Sequence, residues 1–72
     1  MVTVERTARI LDYFNIGFSE GIVNTYTTQG YLNKVKKPYE VFSKYSWAVS
    51  IDSLRNFLLS RGVCQKEIDT IL

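Results

Sequence analysis

The sequence predicts a mostly α-helical fold with a small β-hairpin, in the order helix, helix, hairpin, helix, helix. Apolar residues recur at three-to-four spacing before residue 30 and after residue 50, which is the period of amphipathic helices. Between these stretches the pattern changes to alternation, around a segment that contains Pro38. With 72 residues, 46% of them hydrophobic, the chain has room for one small core. We therefore expect a single domain over residues 1–72, with its core in about residues 3–60.

Two helices are predicted in the first half of the chain. The first covers residues 4–14, with Thr3 as its N-cap. Its apolar side chains share one face: Val4, Ala8, Leu11 and Phe14, with Ile10 at the edge. The second begins after Ser19, another N-cap candidate, and has Glu20 in its first turn, where a negative charge suits the helix dipole. Gly30 is placed to end this helix, and its inward residues are Ile22, Val23 and Tyr26.

The hairpin and two further helices follow. The predicted strands are residues 31–35 and 45–49, joined by a loop over residues 36–44. A third helix begins at Ser50 or Asp52 and ends at Gly62; its apolar residues are Ile51, Leu54, Phe57 and Leu58. A short last helix over residues 65–72 carries Ile68, Ile71 and Leu72, which either complete the core or form a dimer contact. In so short a chain we favour completion of the core.

The formal net charge of +2 is unevenly distributed. Residues 1–33 have a net charge of −1 and residues 45–72 are balanced. Residues 34–44 have a net charge of +3, because they hold four lysines and one glutamate. The lysines are Lys34, Lys36, Lys37 and Lys44. Such a cluster is either ordinary solvated surface or a contact surface for a polyanion such as nucleic acid.

The side-chain inventory argues against catalysis. The chain has no histidine and one cysteine, which excludes His-based triads and the usual zinc sites. The seven carboxylates form no obvious catalytic pair, and Cys64 has only Lys66 nearby to activate it. We expect a non-enzyme with no cofactor and no metal, in which Cys64 is structural. The lone cysteine, and the lack of a long apolar run or a signal-peptide pattern, favour a cytoplasmic location.

The second predicted helix carries a recognisable pattern. In residues 19–32, Ser19 caps the helix, the apolar Val23 follows four positions later, and the aromatic Tyr26 three positions after that. A Gly-x-Leu sequence at residues 30–32 then opens the hairpin. In these features the stretch resembles the second helix of the winged helix-turn-helix of MerR-type proteins and of phage or transposon excisionases.

The resemblance covers about residues 3–60. Residues 44–50 are similar to the return strand of the wing in these families, and residues 51–58 to the helix that packs behind it. The chain departs from the family pattern in two ways. The spacing from the first helix to Ser19 is about two residues longer than usual, and the second helix has no basic residue.

The resemblance implies double-stranded DNA binding, with the second helix in the major groove and the wing on phosphates. It implies the role of a transcriptional regulator, or of a recombination directionality factor from a mobile element. Homodimers or side-by-side assembly on DNA, and a recombinase or other regulator as partner, are further implications. The DNA-binding residues expected on the second helix are Ser19, Glu20, Asn24, Thr25, Thr28 and Gln29, and those on the wing are Lys34, Lys36, Lys37 and Lys44.

These residue types suit the task, because Asn and Gln pair with adenine, Thr contacts the thymine methyl and Lys contacts phosphate. The alternative for the second helix is a neutral polar surface. We assign Tyr26 and Trp47 to the core rather than to base stacking. Tyr39 and Phe42 either pack beside the DNA backbone, enter the minor groove or, as we favour for at least one, fold back onto the core.

A different class of function stays open. A protein-interaction module, such as an antirepressor, could keep the fold without contacting DNA. The acidic balance of residues 1–33 and the absence of a basic residue on the second helix favour this alternative.

Overall fold

A computed structural model describes residues 1–17 and 19–72, and within them the chain is mostly helical with a small antiparallel sheet. The helices are α1 (Val4–Tyr13), α2 (Glu20–Thr28), α3 (Ile51–Ser60) and α4 (Gln65–Ile71). The strands are β1 (Val2–Thr3), β2 (Lys34–Lys36) and β3 (Trp47–Val49). In the described residues, no helix has both the length and the apolar character needed to traverse a bilayer.

The sheet has three strands in the order β1-β3-β2, so β3 lies in the middle. The hairpin was expected and is present, with Val35 opposite Ala48 and Lys36 opposite Trp47. The strand β1 was not expected. It pairs Val2 with Val49, and two residues are too short to show the alternation by which a strand is recognised.

Both strands of the hairpin are shorter than predicted. The first was expected from Tyr31, but the amides of Tyr31 and Leu32 both donate to the carbonyl of Tyr26, at 3.0 and 3.3 Å. Tyr31 and Leu32 are therefore part of the turn that ends α2 and not part of the strand. The strand β2 begins at Lys34. The return strand was expected from Tyr45, whose amide donates to the Ser43 hydroxyl at 3.2 Å, and β3 begins at Trp47.

The ends of the helices follow the local sequence. Gly30 and Gly62 have φ of 89° and 85°, which confirms that they end α2 and α3 in the left-handed conformation favoured by glycine. Asn15 takes the same role after α1, with φ of 58°, and the next amide, of Ile16, donates to the carbonyl of Leu11 at 2.8 Å. Consequently α1 ends at Tyr13, one residue before the predicted limit.

The predicted N-cap positions are confirmed, but one of the three N-cap side chains makes no capping hydrogen bond. Thr3 and Ser50 accept hydrogen bonds from the backbone amides of Arg6 and Ser53, as N-cap side chains do. Ser19 occupies the N-cap of α2, but its side chain makes no capping hydrogen bond. Its hydroxyl therefore does not satisfy the first amides of α2.

The core is formed by all four helices and the sheet. Its fully buried large side chains come from every helix and include Leu11, Val23, Leu54 and Ile68. The last helix completes the core as expected, because Ile68 is buried and Ile71 and Leu72 pack against it. The guanidinium of Arg6 also donates to the carbonyl of Ile71 at 3.0 Å, which ties α4 to α1.

The burial of two helical residues differs from expectation. Ile51, at the start of α3, is 36% exposed and lies at the margin of the core. Thr7, which was not predicted as a core residue, is fully buried in α1. Its hydroxyl donates to the carbonyl of Thr3 at 2.8 Å, so the polar group is satisfied inside the core.

Candidate nucleic-acid interface

The α2 helix presents a polar stripe to solvent. Val23 is fully buried, and Ile22 and Tyr26 are half-buried against the core, as predicted. The exposed positions recur at the helical period on the opposite side, and they are Gly21, Asn24, Thr25, Thr28 and Gln29. The structure therefore places four of the predicted contact residues on one continuous surface.

The threonines of this stripe are held by their own helix. The Thr25 hydroxyl donates to the carbonyl of Gly21 at 3.1 Å, and the Thr28 hydroxyl donates to that of Asn24 at 2.9 Å. These bonds fix the side-chain rotamers and use the hydroxyl protons. The threonines can then offer a methyl group and an oxygen acceptor to a ligand. In the described part of the chain, the Asn24 amide makes no hydrogen bond and keeps both donor and acceptor available.

Of the four predicted wing lysines, Lys34 and Lys36 are exposed and Lys37 is half-buried. Lys34 and Lys36 are exposed on the edge strand β2, and the ammonium of Lys34 lies 4.5 Å from the centre of the Trp47 ring. The ammonium of Lys37 donates to the carbonyl of Val41 at 2.7 Å. Because an ammonium has three protons, Lys37 keeps donors for a second acceptor.

The fourth lysine of the wing is engaged within the protein. The ammonium of Lys44 lies 2.9 Å from Oε1 of Glu20, the first residue of α2, and the Tyr45 hydroxyl donates to the same oxygen at 3.0 Å. This pairing lowers the pKa of Glu20, through Lys44 first and Tyr45 second, and raises the pKa of Lys44. The two predicted contact residues Glu20 and Lys44 therefore come together as an ion pair.

A second glutamate holds the same segment from α1. Oε1 of Glu5 accepts from the Ser43 hydroxyl at 2.6 Å, and Oε2 accepts from the backbone amide of Lys44 at 2.9 Å. These bonds lower the pKa of Glu5 from 4.5 to about 2, with the Ser43 hydrogen bond as the largest cause. We call Glu5, Glu20 and residues 43–45 the wing anchor. It fastens residues 43–45, at the end of the loop between β2 and β3, to the first turns of α1 and α2.

Sequence reasoning missed the role of Glu5, Ser43 and Tyr45 in the wing anchor. Glu5 is separated from Ser43 by 38 residues, and Glu20 from Tyr45 by 25. No local spacing connects residues so far apart. A glutamate in a first helical turn is already explained by the helix dipole, so the single sequence held no signal for these contacts.

The tip of the wing carries two exposed aromatic rings. Tyr39 and Phe42 are each 98% exposed. The expectation that one of them folds back onto the core is therefore wrong. The backbone turns between them, where the amide of Val41 donates to the carbonyl of Pro38 at 3.1 Å, and this turn directs both side chains into solvent.

Tyr26 and Trp47 are packed against the core, as predicted. The ring of Tyr26 lies 4.8 Å from that of Phe57, and the ring of Trp47 lies 5.9 Å from that of Tyr45 in an edge-on arrangement. Each ring thus has aromatic neighbours within the fold. Cys64, which was expected to be structural, is instead exposed at the N-cap of α4.

A shallow groove of about 500 Å³ runs along α1 from Glu5 to Asp12, beside the start of α2. Its charged lining residues are Glu5, Arg9, Asp12 and Glu20, so carboxylates outnumber cations there. Because Glu5 and Glu20 also belong to the wing anchor, an acidic surface lies directly beside the lysine-bearing wing.

Comparison with known proteins gives no match for the chain. No family model, no curated protein and no solved structure is a significant match.

The wing anchor predicts a specific acid sensitivity. A carboxyl whose pKa falls on folding stabilises the native state fully above its ordinary pKa, and that contribution is lost as the pH falls through the folded value. For Glu5 the loss runs from pH 4.5 down to about 2. We expect the stability difference between the parent protein and Glu5→Gln to be largest near neutral pH and to shrink across this window.

Thermal melts of both proteins between about pH 7 and pH 2.5, followed by circular dichroism, measure this difference. Glu67→Gln is the control, because Glu67 is exposed in the first turn of α4 and does not belong to the wing anchor. A constant gap between parent and Glu5→Gln at all pH values would show that the Glu5 carboxylate does not hold the wing.

Proposed function

We propose that this protein is a winged helix-turn-helix that binds double-stranded DNA, with α2 in the major groove and the β2–β3 wing on the phosphates. The observation that carries the proposal is the wing anchor. It holds the lysine-bearing wing against the N-terminus of α2, whose exposed face is a polar stripe. A helix that reads base edges and a cationic wing beside it are the two parts this binding mode needs.

The polar stripe suits base readout in spite of its lack of positive charge. An exposed Asn can pair with the N6 and N7 atoms of adenine, and a Thr methyl can contact the methyl group of thymine. Asn24 has its amide available, and Thr25 and Thr28 are held with their hydroxyl protons on the helix backbone. We infer that α2 favours sequences rich in A·T pairs.

The affinity of such a protein comes mainly from the wing, since phosphate contacts dominate DNA binding. Lys34, Lys36 and Lys37 supply the charge, and Lys44 acts through the wing anchor by orienting the loop. This division differs from the simpler expectation that all four lysines contact phosphate. Glu20, likewise, positions the wing through Lys44 and Tyr45 rather than reading bases.

The biological role that follows is a small non-catalytic regulator of transcription or a recombination directionality factor of a mobile element, at work in the cytoplasm. Either would bind DNA without a cofactor. It would act as a single copy, as a homodimer or as several copies side by side on the DNA, and its protein partner would be a recombinase or another regulator. A domain of this size contacts a short site, so assembly of several copies is the natural way to gain specificity.

The experiment that tests base readout compares two duplexes. One is selected by the protein from a random library, and the other is its scrambled form. Asn24→Ala and Thr28→Ala should each reduce the preference for the selected duplex by roughly 5- to 150-fold, since a good base contact contributes ~1–3 kcal/mol of discrimination. Affinity for the scrambled duplex should hardly change. Titrations at one fixed salt concentration give both values.

The chain offers matched controls. The Thr70 hydroxyl on α4 donates to the carbonyl of Lys66 at 3.0 Å, the same back-bond that Thr28 makes, and Thr70 is exposed. Asn56 is likewise an exposed asparagine, on α3. Thr70→Ala and Asn56→Ala should leave both affinities unchanged. Equal losses on the two duplexes for the α2 variants would show that α2 does not read bases.

A second function is favoured by one observation, the acidic groove between α1 and α2. A protein-interaction module or antirepressor would use this groove to bind a basic segment of a partner. The two functions separate in a salt series with random duplex DNA. If the parent protein binds no duplex at low salt, the interaction module becomes the better explanation.

A further inference from the structure

A second groove lies between α1 and α4. Its volume is about 290 Å³, and its lining residues are Arg6, Arg9, Ile10, Tyr13 and Ile71. A smaller depression of about 110 Å³ adjoins it, since Tyr13 and Ile71 line both. We call the two together the α1–α4 groove. Its volume lies just below the range of small-molecule pockets, so it suits a few side chains of a peptide better than a whole small molecule.

The floor of the α1–α4 groove is apolar. The Ile10 side chain is buried, Ile71 is half-buried, and the Tyr13 ring beside them is 70% exposed. The Tyr13 ring meets the Phe14 ring edge-on at 5.0 Å, a contact that orients it within the free protein. Tyrosine and arginine are enriched among the residues that contribute most to binding at protein interfaces, and the groove contains both.

Two guanidinium groups give this groove a positive charge. Arg6 and Arg9 are exposed, and within the part of the chain that the structure describes neither of them forms an ion pair. Arg6 donates to the carbonyl of Ile71 at 3.0 Å, which holds its guanidinium at the edge of the groove and leaves other N–H donors for a ligand. Among the described lining residues the one carboxylate is Glu67, in the smaller depression. The groove therefore complements a ligand that is both negatively charged and apolar.

The α1–α4 groove lies on a different side of α1 from the acidic groove. Successive residues of an α-helix are about 100° apart around its axis, so Arg6 and Tyr13 point about 100° away from Glu5 and Asp12. Arg9 lies between these two directions and lines both grooves. No described residue of α2 or of the wing lines the α1–α4 groove. A ligand bound there leaves the polar stripe of α2 and the wing lysines accessible.

We propose that the α1–α4 groove binds an acidic amphipathic segment of a partner protein. Asp or Glu side chains of the segment pair with Arg6 and Arg9, because a guanidinium matches a carboxylate with two parallel hydrogen bonds. A large apolar side chain of the segment then packs between Tyr13 and Ile71. A nucleic-acid backbone would use the two charges but would leave the apolar floor in water, which forgoes the free energy of burying it.

This inference does not depend on DNA binding by α2 and the wing. It also differs from the interaction module considered above, because the acidic groove would take a basic segment and the α1–α4 groove takes an acidic one. The sign of the partner's charge therefore separates the two surfaces.

The test selects peptides from a random library displayed on phage, with the whole protein as the target. Enriched peptides should combine Asp or Glu with large apolar side chains. The most enriched peptide is then synthesised with a fluorescent label, and its affinity is measured by fluorescence polarisation. Arg9→Glu should weaken binding by roughly tenfold or more, because it replaces attraction by repulsion. Tyr13→Ala should weaken it by roughly fivefold or more, as is typical of a residue at the centre of an interface.

Arg6 is left in place in these variants because it also ties α4 to α1. Arg9 and Tyr13 are exposed, so both variants should keep the circular dichroism spectrum and melting temperature of the parent. Lys66→Ala is the matched charge control, because it removes an exposed positive charge of α4 that does not line the groove. It should bind the peptide as the parent does.

A second control excludes the wing, whose lysines would also attract an acidic peptide. The double variant Lys36→Ala/Lys37→Ala should keep the affinity for the peptide, and a loss would place the peptide on the wing and overturn the proposal. Displacement of the peptide by duplex DNA would overturn it as well. So would enrichment of basic peptides, the absence of any enrichment, or affinities unaffected by both Arg9→Glu and Tyr13→Ala. None of these results bears on base readout by α2, which the duplex titrations test separately.

Discussion

Replacing Lys36 and Lys37 by Ala should weaken binding to every duplex, whatever its sequence. Removing one lysine–phosphate pair lowers the slope of log affinity against log salt by about 0.9, so removing two such pairs reduces the affinity on the order of 50-fold at ~0.1 M salt. The reduction is expected to be equal for selected and scrambled duplexes, because phosphate contacts carry no direct sequence information. Titrations across a salt series measure both the slope and the affinity.

Two further variants keep this result interpretable. Lys37 also braces the wing tip through the Val41 carbonyl, so Lys36→Ala alone, which removes charge without that bond, should lower the slope by about half as much. Lys66→Ala removes one exposed positive charge from α4, outside the wing, and should leave the slope nearly unchanged. A slope unaffected by the double substitution would exclude the wing from DNA contact.

Trp47→Ala should leave the domain largely unfolded at room temperature. Trp47 packs against the core, contacts the ring of Tyr45 and lies under the ammonium of Lys34. Its truncation costs on the order of 3 kcal/mol, since the indole is only partly buried and the low end of the range for Trp applies. So small a domain has a total stability of only a few kcal/mol.

Urea titration followed by circular dichroism measures this cost. Tyr39→Ala is the control, because its ring is 98% exposed and its removal should leave the unfolding midpoint in place. Trp47→Phe should recover part of the stability by restoring an aromatic ring to the site. An unchanged midpoint for Trp47→Ala would mean that the indole lies on the surface and is available for stacking.

The parts of the fold that could be predicted from the sequence are those decided by neighbouring residues. The helix faces, the caps at Thr3 and Ser50 and the ends at Gly30 and Gly62 depend on spacings of three or four residues. The strand β1 could not be predicted, because the pairing of Val2 with Val49 is a contact across almost the whole chain. The start of β2 was misplaced for a related reason, since Tyr31 still bonds to the last turn of α2.

The candidate site divides in the same way. The exposed stripe of α2 followed from helical periodicity, and Asn24 and Thr28 lie where it predicted. The pairing of Glu20 with Lys44 could not be predicted in this way, because contacts between distant segments leave no local pattern in the sequence. The expectation that Tyr39 or Phe42 folds back onto the core was wrong because hydrophobicity alone favours burial, whereas both side chains flank the turn at residues 38–41 and are exposed.

The wing anchor also has a consequence for the entropy of binding. Fixing the backbone of one residue costs roughly 1–2 kcal/mol of conformational entropy, whether it is fixed on folding or on meeting a ligand. Because Glu5 and Glu20 hold residues 43–45 in the free protein, that ordering is complete before any ligand arrives. A ligand that spans α2 and the wing meets a preorganised surface, and more of its contact free energy is retained as affinity.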